Sequence, residues 1–178
     1  MSAPTTSKRR QVRERVLQAL YALELSGDAA EHVLQTLVRP AYADEPVYLQ
    51  FAEKLFLRAV DVREEADELL ARHVQNWEIS RLALTDRLVL RMAVAELLFF
   101  ADVPPKVSLN EAVEVAREFG TDKSGAFVNG VLDAILRELR EAGRVVKTGR
   151  GLVEVSTGHG PASGVAPGGT PDVPGSAA

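Results

Sequence analysis

The segment 85–101 constrains the fold most, because it has the length of a helix and is apolar on nearly every side. Its large apolar residues are Leu88, Val89, Leu90, Met92, Val94, Leu97, Leu98 and Phe99. Apart from Asp86 at its start, its charges are only Arg87, Arg91 and Glu96. A helix without a wide polar face must be surrounded by other elements. We therefore predict that this helix, capped by Thr85 or Asp86, lies in the middle of a helical bundle.

Helical periodicity continues on both sides of this segment, and no run alternates with the period of a strand. We expect helices at 7–26, 28–39, 47–74 (one helix or two in line), 85–101, 108–119 and 124–143. Their breaks coincide with Gly27, Pro40, Pro104-Pro105, Gly120 and Gly143. The prediction is an all-α domain of about six or seven helices over residues 7–146.

Two local features sharpen these boundaries. Ser108 followed by Glu111 has the spacing of a capping box and predicts a helix start. Gly130 lies inside the last helix, where it costs about 1 kcal/mol relative to alanine. We expect this glycine to allow close approach of another helix or of a ligand backbone.

The two ends of the chain differ from the helical part. We expect residues 1–6 to be flexible and residues 147–178 to be a disordered tail. Residues 148–178 hold eight of the 13 glycines and four of the nine prolines. Such a segment has too little apolar surface to offset the entropy of ordering it.

Several classes of chemistry find no support in the sequence. The chain has no cysteine, and its histidines, His32, His73 and His159, lack a second ligand at metal-binding spacing. The segment 120–125 resembles a phosphate loop but lacks its full spacing and follows a helix. We therefore expect no enzyme and no cofactor. With no signal peptide or membrane span in the sequence, we expect a soluble, cytoplasmic protein.

A basic cluster opens the first predicted helix. Lys8, Arg9, Arg10, Arg13 and Arg15 are accompanied by a single acid, Glu14, although the whole chain has 21 Lys+Arg against 25 Asp+Glu. A local cationic cluster on an acidic protein favours a focused polyanion site. Arginine suits phosphate because its planar fork donates two parallel hydrogen bonds. A solvated helix end explains the same cluster equally well.

Three segments resemble the bacterial transcription antitermination factor NusB family. They are Arg-Arg-Gln-Val-Arg-Glu-Arg-Val-Leu-Gln-Ala-Leu-Tyr at 9–21, the stretch 77–97, and Asp-Val-Pro-Pro-Lys-Val-Ser-Leu-Asn-Glu-Ala-Val at 102–113 followed by 124–133 with Phe-Val-Asn-Gly-Val-Leu-Asp. The last is the most specific. Together they cover most of residues 8–140, and the tail lies outside the resemblance.

The resemblance implies an all-helical fold of two small bundles without catalysis. NusB-like proteins bind boxA, a short single-stranded RNA element of ribosomal operons, together with NusE, a small-subunit ribosomal protein. The pair helps to hold RNA polymerase in a termination-resistant state, and some members form homodimers. Two alternatives remain: an accessory domain of a ribosomal RNA cytosine methyltransferase, for which no methyl-donor domain follows here, or a purely structural helical module.

The resemblance also implies roles for single residues. Arg9, Arg10 and Arg13 match the family's basic motif and would contact phosphates. Arg15 either joins them or pairs with an acid. Gln18 either donates to a base edge or lies on the surface.

Near the last helix, Phe127 would stack on an RNA base, although a core position at the helix start is the alternative. Ser124 would cap the helix or bind phosphate at the helix start. Lys106 and Arg91 are further candidate contacts, and a salt bridge from Arg91 to Glu96 or another acid competes. One RNA strand would then engage the arginines and the Phe127 ring together.

Three further residues complete the prediction. Tyr21 and Asp86 match positions used against NusE, and Asp86 alternatively only caps its helix. We assign Trp77 to the core.

Overall fold

The computed structural model describes residues 7–74 and 81–145, and these form seven α-helices and no strand. The helices are α1 Lys8–Ser26, α2 Ala30–Val33, α3 Pro46–Asp61, α4 Arg63–His73, α5 Leu84–Phe99, α6 Pro105–Phe119 and α7 Ser124–Glu141. A π-helical turn, Leu34–Val38, and a 3-10 turn, Arg39–Tyr42, continue α2. The all-α prediction is confirmed. Trp77, the N-terminal residues 1–6 and the tail 147–178 lie outside the described residues.

The first helix begins and ends where local chemistry dictates. The Ser7 hydroxyl accepts a hydrogen bond from the Arg10 backbone N–H at 3.2 Å, which caps the N-terminus of α1. Gly27 closes the helix in the left-handed conformation, with φ of 70°, and its N–H donates to the Leu23 carbonyl. The predicted span of this helix is therefore confirmed at both ends.

The predicted stop at Pro40 is wrong. The chain continues through Pro40 as a 3-10 turn, in whose first turn proline is tolerated because no helical partner for its missing N–H is needed there.

The side-chain caps predicted for α5 and α6 are also wrong. Helix α5 begins after Ala83 without a side-chain cap, and Asp86 lies in its first turn. Helix α6 begins at Pro105 rather than Ser108, because proline is preorganised for the first helical position. The Ser108 hydroxyl is buried without a hydrogen-bond partner among the described residues, and Glu111 turns towards α1.

Helix α5 lies at the centre of the fold, as predicted. All residues from Leu88 to Leu97 are buried, including the charged Arg91 and Glu96. It contacts α1 and α3, which also contact each other, and it contacts α4, α6 and α7, of which α4 and α6 both contact α7. The two small helical bundles therefore share this helix.

A buried ion pair joins α1 to α5. The Arg13 guanidinium donates from Nε and Nη2 to the two carboxylate oxygens of Glu96, at 2.8 Å each, and both side chains are only 3% exposed. The Phe51 ring of α3 packs 5.2 Å from the same guanidinium. This cluster fixes the rotation of α1 and therefore which of its arginines face outwards.

The two glycines in and before α7 lie in different surroundings. A Cβ on Gly120 would lie 2.6 Å from the Ala116 carbonyl oxygen and 2.4 Å from the Ser124 hydroxyl, so the turn requires glycine. A Cβ on Gly130 would meet nothing within 4 Å. The expectation that another helix approaches Gly130 is wrong, and the ligand-backbone alternative stays open.

We expect Glu96→Gln to lower the free energy of unfolding by about 3 kcal/mol, because it leaves the Arg13 charge buried and half-paired. Urea unfolding at neutral pH measures this change. The matched control is Asp61→Asn, which breaks the exposed pair with Arg58 and should change stability by less than about 0.5 kcal/mol. Equal effects of the two variants would contradict the structural role of the buried pair.

We expect Gly130→Ala to raise the free energy of unfolding by about 1 kcal/mol, because alanine is the better helix former and its methyl group enters open space. Thermal or urea unfolding checks this gain. Gly120→Ala is the contrasting variant, since its methyl group overlaps backbone, and it should destabilise the protein. A loss of stability in Gly130→Ala would contradict the open environment described above.

Candidate nucleic-acid interface

The basic cluster of α1 faces carboxylates from several other elements. Lys8 pairs with Glu45 at 2.9 Å. The Arg9 Nη2 lies 3.4 Å from Asp102, in the connection between α5 and α6, and its guanidinium also lies 5.0 Å from the Phe51 ring. Most of these cations are therefore partly neutralised by neighbouring acids.

Arg10 points towards α6 and forms the most regular of these contacts. Its Nε and Nη2 donate to the two carboxylate oxygens of Glu111 at 3.0 Å each, and Nη1 lies 3.7 Å from Glu114. The hydrogen bonds that Arg10 donates to Glu111 raise the pKa of Arg10 above its usual value. Because 28% of the Arg10 side chain stays exposed, the guanidinium is held in place but remains accessible.

Arg10 opens into a groove between α6 and the first turns of α7. The groove has a volume of about 580 Å³. Its lining includes Arg10, Asn110, Glu114, Arg117, Ala126 and Asn129. Two guanidinium groups and two side-chain amides thus converge on one concavity, and such donors match phosphate and base-edge acceptors.

Arg13 does not reach this surface. Its guanidinium is 3% exposed and held by Glu96, with Glu111 at 3.6 Å. Direct phosphate contact would require it to leave a buried bidentate pair. In this structure Arg13 orients α1 instead.

A second polar groove, of about 280 Å³, follows the outer side of α1. Arg15, Gln11 and Gln18 line it together with Tyr42. Arg15 is exposed and pairs with no carboxylate in the described part of the chain, so it offers a free guanidinium. Gln18 is exposed beside it, one helical turn away.

Carboxylates crowd the seam between α1 and α6. The pKa of Glu14 is raised, first by burial and then by the neighbouring charge of Glu118. The acids that face the arginines, Glu111, Glu114 and Asp102, were not predicted as their partners, because they come from distant parts of the chain. The spacing of Glu111, Glu114 and Arg117 along one side of α6 was the available signal.

Phe127 is half-buried on the first turn of α7 and packs against the core edge. It lies about three helical turns before Glu138, and therefore on the same flank of α7. Glu138 contacts Arg72 of α4 at 2.8 Å, whereas Asn129 lines the Arg10 groove on the opposite flank. The ring and the arginines are thus not adjacent. The exposed side of the first turns of α7, which we call its N-terminal face, lies between them.

Ser124 and Lys106 lie close to this region in different settings. The Ser124 hydroxyl is buried and accepts the Thr121 N–H at 2.9 Å, closing the turn before α7. The prediction that Ser124 caps this helix is wrong, because α7 begins after Lys123 without a side-chain cap. Lys106 is exposed in the first turn of α6 and makes no ion pair within the described segments. It is therefore a free cation beside the α5–α6 connection.

Arg91 is a structural residue, and the interpretation of it as an RNA contact is wrong. It donates to both oxygens of Asp67 at 2.7 and 2.6 Å and to Glu24 at 3.2 Å. Only 6% of its side chain is exposed. The competing salt bridge was predicted, but the acids are Asp67 and Glu24, since Glu96 holds Arg13. Glu24 also lies about 21 Å along α1 from Arg10.

The other predicted surface lies at this far end of α1. Tyr21 is 40% exposed and Leu25 67% exposed, one turn apart on the outer face. Asp86 is buried in the first turn of α5, with one carboxylate oxygen unpartnered among the described residues. The neighbouring Arg87 reaches Glu24 at 3.0 Å. The predicted partner residues therefore fall on two adjoining helices.

The described residues offer neither a metal site nor a membrane span. Within residues 7–74 and 81–145, no group of three or more histidine or acidic side chains is arranged to hold a metal ion. No helix in that part of the chain is long and apolar enough to cross a membrane.

Known proteins resemble this chain in sequence. The NusB family model matches residues 10–137. The transcription antitermination protein NusB of Salinibacter ruber is 50% identical over 151 residues, covering 85% of this chain and 94% of the relative. The Bacillus licheniformis protein of the same name is 39% identical over 132 residues, covering 74% of this chain and 98% of the relative.

Solved structures agree with these relatives. T. maritima NusB superposes with a TM-score of 0.67 at 34% identity, covering 78% of this chain and 94% of that one. A structure of the antitermination factors NusB and NusE in complex with dsRNA matches with a TM-score of 0.66 at 30% identity, covering 73% of this chain and 96% of that one. The described fold, its arginine-rich first helix and these matches together show that the chain belongs to the NusB family.

Proposed function

We propose that this protein is a transcription antitermination factor that binds boxA-type single-stranded RNA of ribosomal operons together with NusE. The pair then stabilises a termination-resistant RNA polymerase complex. The observation that carries the proposal is the match to a NusB–NusE structure with bound RNA, of which this fold covers 96% of the matched chain.

The arrangement of charge supports an RNA surface. Arg9 and Arg10 present partly exposed guanidinium groups, and Lys106 adds a free cation beside the α5–α6 connection. Arginine forks suit phosphate because they are planar and permanently charged. These residues would position the RNA backbone, and Arg13 contributes by holding α1 in place.

Base recognition is assigned to the exposed part of α7 and the outer side of α1. Phe127 would stack on an unpaired base, since every base offers a π face to an aromatic ring. Gln18 would donate to a base edge beside Arg15. Ser124 would support this surface only by shaping the start of α7, because its hydroxyl is occupied in the turn and its backbone N–H donates to the Thr121 carbonyl at 2.9 Å.

An aromatic stacking site discriminates single strands from duplexes. The related complex contains dsRNA, whose stacked bases are not free to cover a protein ring. The ring and the arginines lie on two sides of the N-terminal face of α7, so an unpaired strand would have to cross that face.

The NusE surface is assigned to the far end of α1 and the start of α5. Tyr21 and Leu25 offer exposed apolar area, and aromatic residues are enriched at interface cores. Asp86 is buried, including its unpartnered oxygen, so it would support this surface from the start of α5 rather than through exposed area. This surface is separate from the arginine cluster, so both partners can be held together.

We expect Arg10→Ala to weaken boxA RNA binding and to reduce its salt dependence, because a phosphate contact is lost. Phe127→Ala should lower affinity by about tenfold with little change in salt dependence, because stacking is worth about 1–3 kcal/mol per base. Fluorescence titration of a labelled boxA RNA at several salt concentrations measures both quantities.

The same titration contains its own controls. Glu141→Gln, at the far end of α7, changes charge without touching this surface and should leave binding unchanged. If Phe127→Ala unfolds the protein and leaves residual binding unaltered, the stacking role is wrong. Wild-type binding that ignores both sequence and salt would favour a purely structural module.

We expect Tyr21→Ala to reduce co-purification with NusE by about tenfold, as removal of an aromatic anchor commonly costs more than 1 kcal/mol. RNA binding by the isolated protein should stay unchanged, since Tyr21 lies about 17 Å along α1 from Arg10. Tyr21→Phe is the matched variant and separates ring packing from the hydroxyl. If the Tyr21→Ala variant captured NusE normally, Tyr21 would not belong to the interface.

A further inference from the structure

We propose that two glutamates on α6 set the affinity and selectivity of Arg10 for RNA phosphate in opposite ways. Glu111 positions the Arg10 guanidinium for phosphate, whereas Glu114 competes with phosphate for it. The inference rests on the proposed function and names the residues that regulate the same site.

The geometry of the Arg10–Glu111 pair leaves one edge of the guanidinium free. An arginine carries five N–H donors along two usable edges. Glu111 takes the side edge, because it accepts from Nε and Nη2 at 3.0 Å each. The outer edge, formed by Nη1 and Nη2, is left for a second bidentate acceptor such as phosphate.

Burial makes Glu111 a fixed support. Its side chain is only 14% exposed, and its carboxylate also lies 3.6 Å from the buried Arg13. Arg13 is itself anchored to Glu96. Glu111 is thus held from two sides and restricts Arg10 to one rotamer, which reduces the entropy lost when phosphate binds.

Glu114 stands on the other edge and is far less constrained. Its carboxylate lies 3.7 Å from the Arg10 Nη1, outside good hydrogen-bond distance, and 38% of its side chain is exposed. Its close partner is Arg117, at 2.6 Å, whose side chain is 64% exposed. Glu114 therefore occupies the approach of a phosphate and can turn away with Arg117.

This arrangement favours ligands that make additional contacts. Any polyanion must displace the Glu114 carboxylate from the outer edge of Arg10. The free-energy cost of this displacement is similar for every nucleic-acid sequence. Only an RNA that also gains base contacts recovers that cost. Glu114 thus acts against non-specific polyanions, which a free arginine row would attract.

The test compares variants that remove the same charge from one helix. Removal of a carboxylate near RNA should by itself tighten binding, so a loss of affinity in Glu111→Gln must come from lost positioning. We expect Glu111→Gln to weaken boxA RNA binding by about tenfold. Glu114→Gln should tighten binding by about threefold, with a larger gain for a non-cognate RNA of equal length. Glu118→Gln is the charge-matched control and should change affinity by less than about twofold.

Two further variants separate position from charge and from folding. Glu111→Asp keeps the charge but shortens the side chain, so it should also weaken binding. In an Arg10→Lys background, which lacks the fork, Glu111→Gln should cost little further affinity. Circular dichroism melts confirm that each variant is folded at the titration temperature, and Glu111→Asp replaces Glu111→Gln if the latter is not.

The outcomes distinguish the inference from the function on which it rests. If Glu111→Gln and Glu114→Gln both tighten binding, the two acids act only through their charge, and the inference is overturned. It is equally overturned if Glu111→Gln costs as much affinity in the Arg10→Lys background as in the wild-type protein. Failure of the wild-type protein to prefer boxA over the non-cognate RNA instead overturns the proposed function.

Discussion

The placement of every arginine on α1 depends on the buried pair between Arg13 and Glu96. A bidentate ion pair with both side chains 3% exposed allows little rotation of the helix that carries it. Breaking such a pair costs far more than forming it gains, because the remaining charge stays buried. Arg13 therefore points to the core, while Arg9 and Arg10, which precede it by about one turn or less, are directed to the surface. A buried residue thus decides which arginines face the surface.

The second consequence of this arrangement is that carboxylates of the same protein partly neutralise the basic cluster of α1. The basic cluster suggests a strongly cationic edge, yet Lys8, Arg9 and Arg10 each face a carboxylate from another element. The exposed pairs of Lys8 and Arg9 contribute little to stability. Their physical effect is to orient guanidinium groups and to lower non-specific attraction, which suits the proposed binding of one RNA element among many polyanions. Arg15 and Lys106, which lack such partners in the described part of the chain, are the exceptions.

Local pattern was sufficient to predict the helices, and long-range contacts explain where it failed. The apolar periphery of α5 predicted its central position, and Ser7 and Gly27 marked the ends of α1. The capping box predicted at Ser108 and Glu111 was wrong for two reasons. Pro105 starts α6 before Ser108, and Glu111 accepts hydrogen bonds from Arg10 of α1. Arg91 was ambiguous for a similar reason. Its acids, Asp67 and Glu24, are distant in sequence, and no periodicity within α5 could identify them.

The direction of the Phe127 ring was the feature of the site that was hardest to predict from sequence. Sequence order places it next to residues of the Arg10 groove, but about 100° of helical rotation per residue moves its ring to the flank that faces α4. The N-terminal face of α7 therefore lies between the cations and the ring, and Gly130 leaves this face without side-chain bulk. An extended strand that contacts both sides must run over this helix, with its backbone near glycine rather than beside a projecting side chain. The open space above Gly130 thus has a physical role if the strand follows that route, and none if the arginines alone hold the RNA.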